Sequence, residues 1–149
     1  MKKLFLLLFV SLFGCSGFQV TDSATNKVLA YASGKLMAIG ISKAIEKEII
    51  GNEVDSDLTS AWVDMMERNA GNESVGSIEM VAFYNHCVSI IVGPDFDRYG
   101  LIGDLSMLLT IYGAEIGDNG QMTSIQPVPL VILKTFEIGY SNGRAVASK

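Results

Sequence analysis

A chain of 149 residues with net charge −5, 49% apolar residues and 18% charged ones is long enough for one domain and too apolar to be disordered. Its 11 Lys and Arg are outnumbered by 16 Asp and Glu, with no basic cluster beyond the start, which excludes a nucleic-acid binder built on a basic face.

The amino terminus has the order of a secretion signal. Lys2 and Lys3 supply positive charge, and Leu4 to Phe13 is an uncharged, dominantly apolar run. Such a run falls well short of the roughly 20 residues a helix needs to span a hydrocarbon core. The run closes on Leu12-Phe13-Gly14-Cys15, which resembles the lipobox of bacterial lipoproteins. The resemblance implies cleavage between Gly14 and Cys15, a diacylglyceryl group on the Cys15 thiol, and acylation of the new amino terminus. It also implies that Ser16, standing where an Asp would retain the protein at the inner membrane, directs it to the outer one. The expected organisation is a signal peptide at 1–14, a lipidated tether at 15–24, and a single helical domain at 25–149.

If lipid consumes Cys15, Cys87 is the only remaining cysteine and the domain has no intramolecular disulfide. The longest charge-free runs of the mature part, Met80 to Pro94 and Asn119 to Leu133, are interrupted by Asn, His, Gln or Pro. Anchoring is therefore expected from the lipid alone.

Periodicity beyond the tether predicts an all-α bundle of about five helices with almost no strand-like alternation. The first, Thr25 to Ile50, carries two apolar sides: Val28, Leu29, Ala32, Leu36 and Ile39 on one, and Ala30, Gly34, Met37, Ile41, Ile45 and Ile49 on the other. Both are expected to meet partners, and Gly51 is expected to end the helix. Asp55 or Ser56 should cap a second helix reaching Asn69, with Leu58, Trp62 and Met65 inward and Asp64, Glu67 and Arg68 outward. A third, Ser74 to Val92, is apolar over most of its circumference and is the expected centre, stopped by Gly93-Pro94. A fourth should run from Tyr99 to Ile116, followed by a turn at Asp118-Asn119-Gly120 and an irregular stretch from Gln121 to Pro129. The last should cover Leu130 to Asn142.

Small residues recur four apart in Ala30/Gly34/Ala38, Gly113/Gly117 and Gly139/Gly143. Each set lets another backbone come close, either inside the fold or across an oligomer seam.

Chemistry-bearing groups are sparse. His86 and Cys87 are adjacent, so on a helix they point about 100° apart and do not form a nucleophile pair. Glu79, His86 and Ser89 share a stripe, but Glu79 and His86 lie about 10 Å apart along the axis at about 1.5 Å per residue. Asp95-Phe96-Asp97-Arg98-Tyr99-Gly100 has the acids and glycine of a calcium loop's opening but lacks its later ligands, so Asp95 and Asp97 read as first-turn acids. Asp104 reads as a solvent-facing acid. Without a phosphate loop, a paired metal motif or a nucleophile elbow, neither a cofactor nor a metal nor a catalytic set is predicted.

Two functions from different classes fit these features. One is a non-catalytic, lipid-anchored module that binds another protein of the cell envelope. The other is a carrier or sensor of an apolar ligand, in a cavity lined by Met37, Met65, Met66, Met80, Met107, Phe83 and Tyr112. Cavity volume separates them, since ligand pockets usually exceed about 300 Å³.

Overall fold

The computed structural model describes residues 23–91 and 101–148. The expected signal at 1–14 with Gly14, Cys15 and most of the expected tether, and the Asp95 to Gly100 segment, lie outside them. Among the described residues five helices dominate, in the order α1 (Ala24–Glu46), α2 (Glu53–Arg68), α3 (Ser77–Ile91), α4 (Gly103–Thr110) and α5 (Leu130–Ala147). Four short strands fall between them: β1 (Ser74–Val75), β2 (Glu115–Ile116), β3 (Met122–Ser124) and β4 (Val128–Pro129). The expected mostly-α fold is what the chain adopts.

Helix α1 starts where Ser23 accepts a hydrogen bond from the Asn26 N–H at 3.2 Å. It stops four residues before the expected Ile50, and Gly51 is not its terminator. Glu48 takes the left-handed conformation (φ 56°), and the Ile49 N–H closes on the Ala44 carbonyl at 2.9 Å. That six-to-one bond is the Schellman closure, made here on a non-glycine residue. Ile45, Ile49 and Ile50 then pack onto the core.

Helix α2 begins at Glu53 with no side-chain cap, so neither Asp55 nor Ser56 serves as one. Its inward residues Leu58, Trp62 and Met65 are buried as the periodicity predicts. Ser74 and Val75 are not the start of α3: they pair antiparallel with Pro129 and Val128, and the Leu130 N–H reaches the Glu73 carbonyl at 2.8 Å. This small ladder starts α5 beside α3.

Helix α4 is much shorter than the expected Tyr99 to Ile116. Gly113, at φ 71°, ends it, and the Ala114 N–H returns to the Leu109 carbonyl at 3.2 Å. Glu115 and Ile116 are thereby free to pair with Ser124 and Met122. Between them Gly120 (φ 75°) turns the chain, and the Asn119 side chain accepts the Gln121 N–H at 3.1 Å. The stretch expected to be irregular thus holds β3 and β4. Short-range periodicity could not show this, because each strand is defined by its partner rather than by alternation along two or three residues. Asn85 of α3 fixes the hairpin, donating to the Met122 carbonyl at 3.0 Å and accepting its N–H at 2.7 Å.

Helix α5 continues past Asn142 to Ala147. Gly143, expected just beyond the last helix, is buried within it against Lys35 and Ala38 of α1. Tyr31 lies on Gly139 and Lys35 on Gly143, four residues later in both helices, so α1 and α5 run in the same direction. By length and composition α1 is a helix that could cross a membrane, contrary to the expectation that no such segment follows the signal. Among the described residues its inner face is covered by α5 and α4, while Val28, Leu29 and Leu36 of its outer face are exposed.

Candidate functional site

All five helices contribute to one partly open pocket of about 70 Å³. Its apolar wall includes Met37 of α1, Leu58 and Trp62 of α2, Phe83 and Cys87 of α3, Leu105 of α4 and Phe136 of α5. The centre of this wall is aromatic. The Trp62 ring stacks on Phe136 with centroids 5.0 Å apart and meets Phe83 edge-on at 5.3 Å. Such pairs stabilise by roughly 0.5–1.5 kcal/mol beyond their burial. The Trp62 indole N–H is buried and has no hydrogen-bond partner among the described residues. Leaving a buried donor unpaired costs about 1–3 kcal/mol.

The polar part of the wall comes from α5. Glu137, Tyr140, Ser141 and Arg144 recur at helical spacing and put one side of α5 along the cavity. Asp55, the expected cap of α2, ties that side down. It accepts the Tyr140 hydroxyl at 2.8 Å and pairs with the Arg144 guanidinium at 2.8 Å. Burial, followed by the hydrogen bond to Asp55, raises the Tyr140 phenol well above its ordinary value. The phenol is thus a fixed donor at physiological pH. Burial also pushes the Cys87 thiol up to about 12, so it is not a ready nucleophile.

A second, open depression of about 260 Å³ lies between α2 and α3, lined by Ala61, Asp64, Arg68, Glu79, Ala82, Phe83 and His86. Arg68 and Glu79 close on each other at 2.9 Å. Hydrogen bonding from the Asn69 side chain, then from Arg68, holds the Glu79 carboxyl below its ordinary value. His86 is exposed, and its own carbonyl accepts the Ser89 hydroxyl at 2.6 Å. Glu79 and His86 therefore share a groove wall, with Glu79 held by Arg68.

The small-residue sets separate into two groups. Ala30, Gly34 and Ala38 of α1 and Gly139 and Gly143 of α5 are all buried. A Cβ on Gly34 would run into the Phe136 carbonyl oxygen and lie 2.9 Å from the Tyr140 nitrogen; one on Gly139 would lie 2.8 Å from the Tyr31 carbonyl carbon. Gly113 and Gly117 are not a helical pair: the first ends α4 and the second opens the β2–β3 turn.

Of the residues expected around a ligand cavity, Met37 and Phe83 line this one. Met65, Met80 and Tyr112 are buried, and Met107 is exposed. Asp104 is half-buried rather than fully solvent-facing, and burial raises its carboxyl above the ordinary range. Sequence reasoning places Tyr140 inward on the last helix but misses its tie to Asp55 and misses Arg144 altogether; the early sign is the four-residue spacing that places the two together on α5. Among the described residues no three His, Cys, Asp or Glu side chains converge as a metal site. No family model matches the chain, and no curated protein and no solved structure matches it.

Proposed function

We propose that the chain is a non-catalytic, lipid-anchored interaction module of a bacterial cell envelope, attached to the outer membrane through lipid on Cys15 and acting by contact with a second envelope protein. The observation that carries this reading is the distribution of space. The pocket at the aromatic centre holds about 70 Å³, well below the roughly 300 Å³ at which small-molecule pockets begin, whereas the groove between α2 and α3 offers about 260 Å³. That groove has an apolar floor and a rim of both charges, a composition suited to a protein side chain. The lipobox-like Leu12-Phe13-Gly14-Cys15 supports the anchor.

Two measurements on intact envelopes test it. Mass spectrometry of the membrane-extracted protein should find Cys15 as the amino terminus with added acyl mass; an intact Met1 without acyl mass overturns the anchor. A photo-crosslinker at His86 should give one discrete protein adduct that a crosslinker at exposed Met107 does not. Equal or absent adducts at both positions overturn the groove as the contact.

A second reading, carriage or sensing of a small apolar ligand, is favoured by the unpaired Trp62 N–H in the cavity wall. A molecule of few atoms bearing one acceptor would satisfy it. Saturable change of Trp62 fluorescence on titration with a small ketone is its signature.

A further inference from the structure

We infer that the outer face of α1 lies on the lipid leaflet to which Cys15 is anchored, so that the domain docks flat on the membrane instead of hanging from its tether. This rests on the lipid anchor proposed above. At 100° per residue, Val28, Leu29, Ala32, Leu36 and Ile39 occupy one side of α1, opposite the side that Ala30, Gly34, Met37 and Ile41 bury. Periodicity alone predicts that both sides are covered, but the described residues cover one. Val28 is 67% exposed, Leu36 55% and Leu29 38%. From Val28 to Ile39 the outer stripe contains no charged residue and is about 16 Å long at about 1.5 Å per residue.

Two properties identify a leaflet as the occupant. The first is reach. The chain between Cys15 and the Ser23 cap of α1 spans at most about 30 Å even when fully extended, at about 3.3–3.6 Å per residue. An acyl chain in the bilayer therefore keeps the stripe permanently within reach of it, at an effective concentration a diffusing partner does not match. The second is charge. On the stripe's side α1 carries Lys35 and Lys43 against exposed Glu46 at its end, while Lys27 lies on the other side, so that side is slightly basic in a chain of net charge −5. By helical position Lys35 borders the stripe and exposed Lys43 continues it beyond Ile39. An apolar stripe edged by lysines is the pattern of a helix lying in the headgroup region of an anionic leaflet, and the acidic remainder of the surface is repelled from that leaflet. Overall acidity alone predicts that the domain stands off; the segregation of charge onto α1 reverses that expectation locally.

The test uses the full-length, membrane-extracted protein, reconstituted into vesicles of phosphatidylcholine with a minority of phosphatidylglycerol. Leu36→Cys and Val28→Cys place a nitroxide on the stripe, and Ile78→Cys, at an 89% exposed position of α3, provides the reference. Cys87 is buried and does not compete for the label. Accessibility to oxygen relative to a polar nickel complex should be several-fold higher at 36 and 28 than at 78. Acyl mass on Cys15 with all three labels in water overturns the docked face and leaves the anchor standing. Labels in water together with an intact Met1 and no acyl mass overturn both. Dipolar broadening between labels at 36, with no contact with lipid, shows a second copy on the stripe and also overturns the proposal.

Discussion

The α1–α5 seam and the α2–α3–α5 centre hold the molecule together by opposite means. Along α1 and α5 the side chains are nearly absent: Gly34, Gly139 and Gly143 bring backbone against backbone, and a single added carbon has nowhere to go. Around Trp62, Phe83 and Phe136 the space is filled by rings, and a removed ring leaves a hole beside a cavity that already exists. One region should therefore fail when volume is added and the other when volume is taken away. Each failure is measurable.

The largest effect is expected at the aromatic centre. Trp62→Ala should lose about 3–5 kcal/mol in denaturant unfolding, because it removes two ring contacts and enlarges the cavity. Trp62→Phe should lose far less, since it keeps a ring and removes the unpaired N–H. Equal losses in the two variants would show that the indole makes a contact the aromatic packing does not account for.

Next comes Gly34→Leu. Overpacking typically costs about 1–3 kcal/mol, and this site should lie at the upper end because the atoms in the way are the backbone of Phe136 and Tyr140. The loss should be independent of protein concentration, since both sides of the seam belong to one chain. Destabilisation that grows on dilution, or a sedimentation shift from oligomer to monomer, would place a second copy there instead.

Tyr140→Phe tests the polar tie between the two regions, where a hydroxyl on α5 reaches Asp55 on α2. A loss of about 1 kcal/mol is expected, rising if Asp55 is left with an unsatisfied lone pair. No change in unfolding midpoint would show that Arg144 alone suffices.

The smallest effect belongs to the exposed groove. Arg68→Ala should cost under about 1 kcal/mol, and less in high salt. Its pH dependence has a definite sign. The Glu79 carboxyl is held below its unfolded value, so its contribution is fully present above the ordinary carboxylate range and is lost as pH falls through the lower folded value. The difference between wild type and Arg68→Ala should shrink on acidification through that window. A difference that stays constant with pH would assign the effect to packing of the arginine stem.

Local chemistry is enough to read much of this protein. The inward positions Leu58, Trp62 and Met65, the apolar girth of α3, the turn at Gly120 and the small-residue positions of α1 and α5 all follow from period and residue type. These depend on contacts within a few residues, or on one face being apolar.

What sequence left open depended on partners distant along the chain. The last helix reads as ending at Asn142, yet α5 passes on through Gly143, against which α1 lies. Gly113 reads as half of a helical pair, yet it ends α4 and lets Glu115 join a strand whose other half is Ser124. Asp55 reads as a cap, and Tyr140 and Arg144, 85 residues later in the case of Tyr140, make it a cross-link. For α1, hydrophobicity alone marked two apolar faces without saying which would be buried. Composition determines how much apolar surface a helix carries, but only the positions of the other helices decide which part of it meets the core and which part is left for something else.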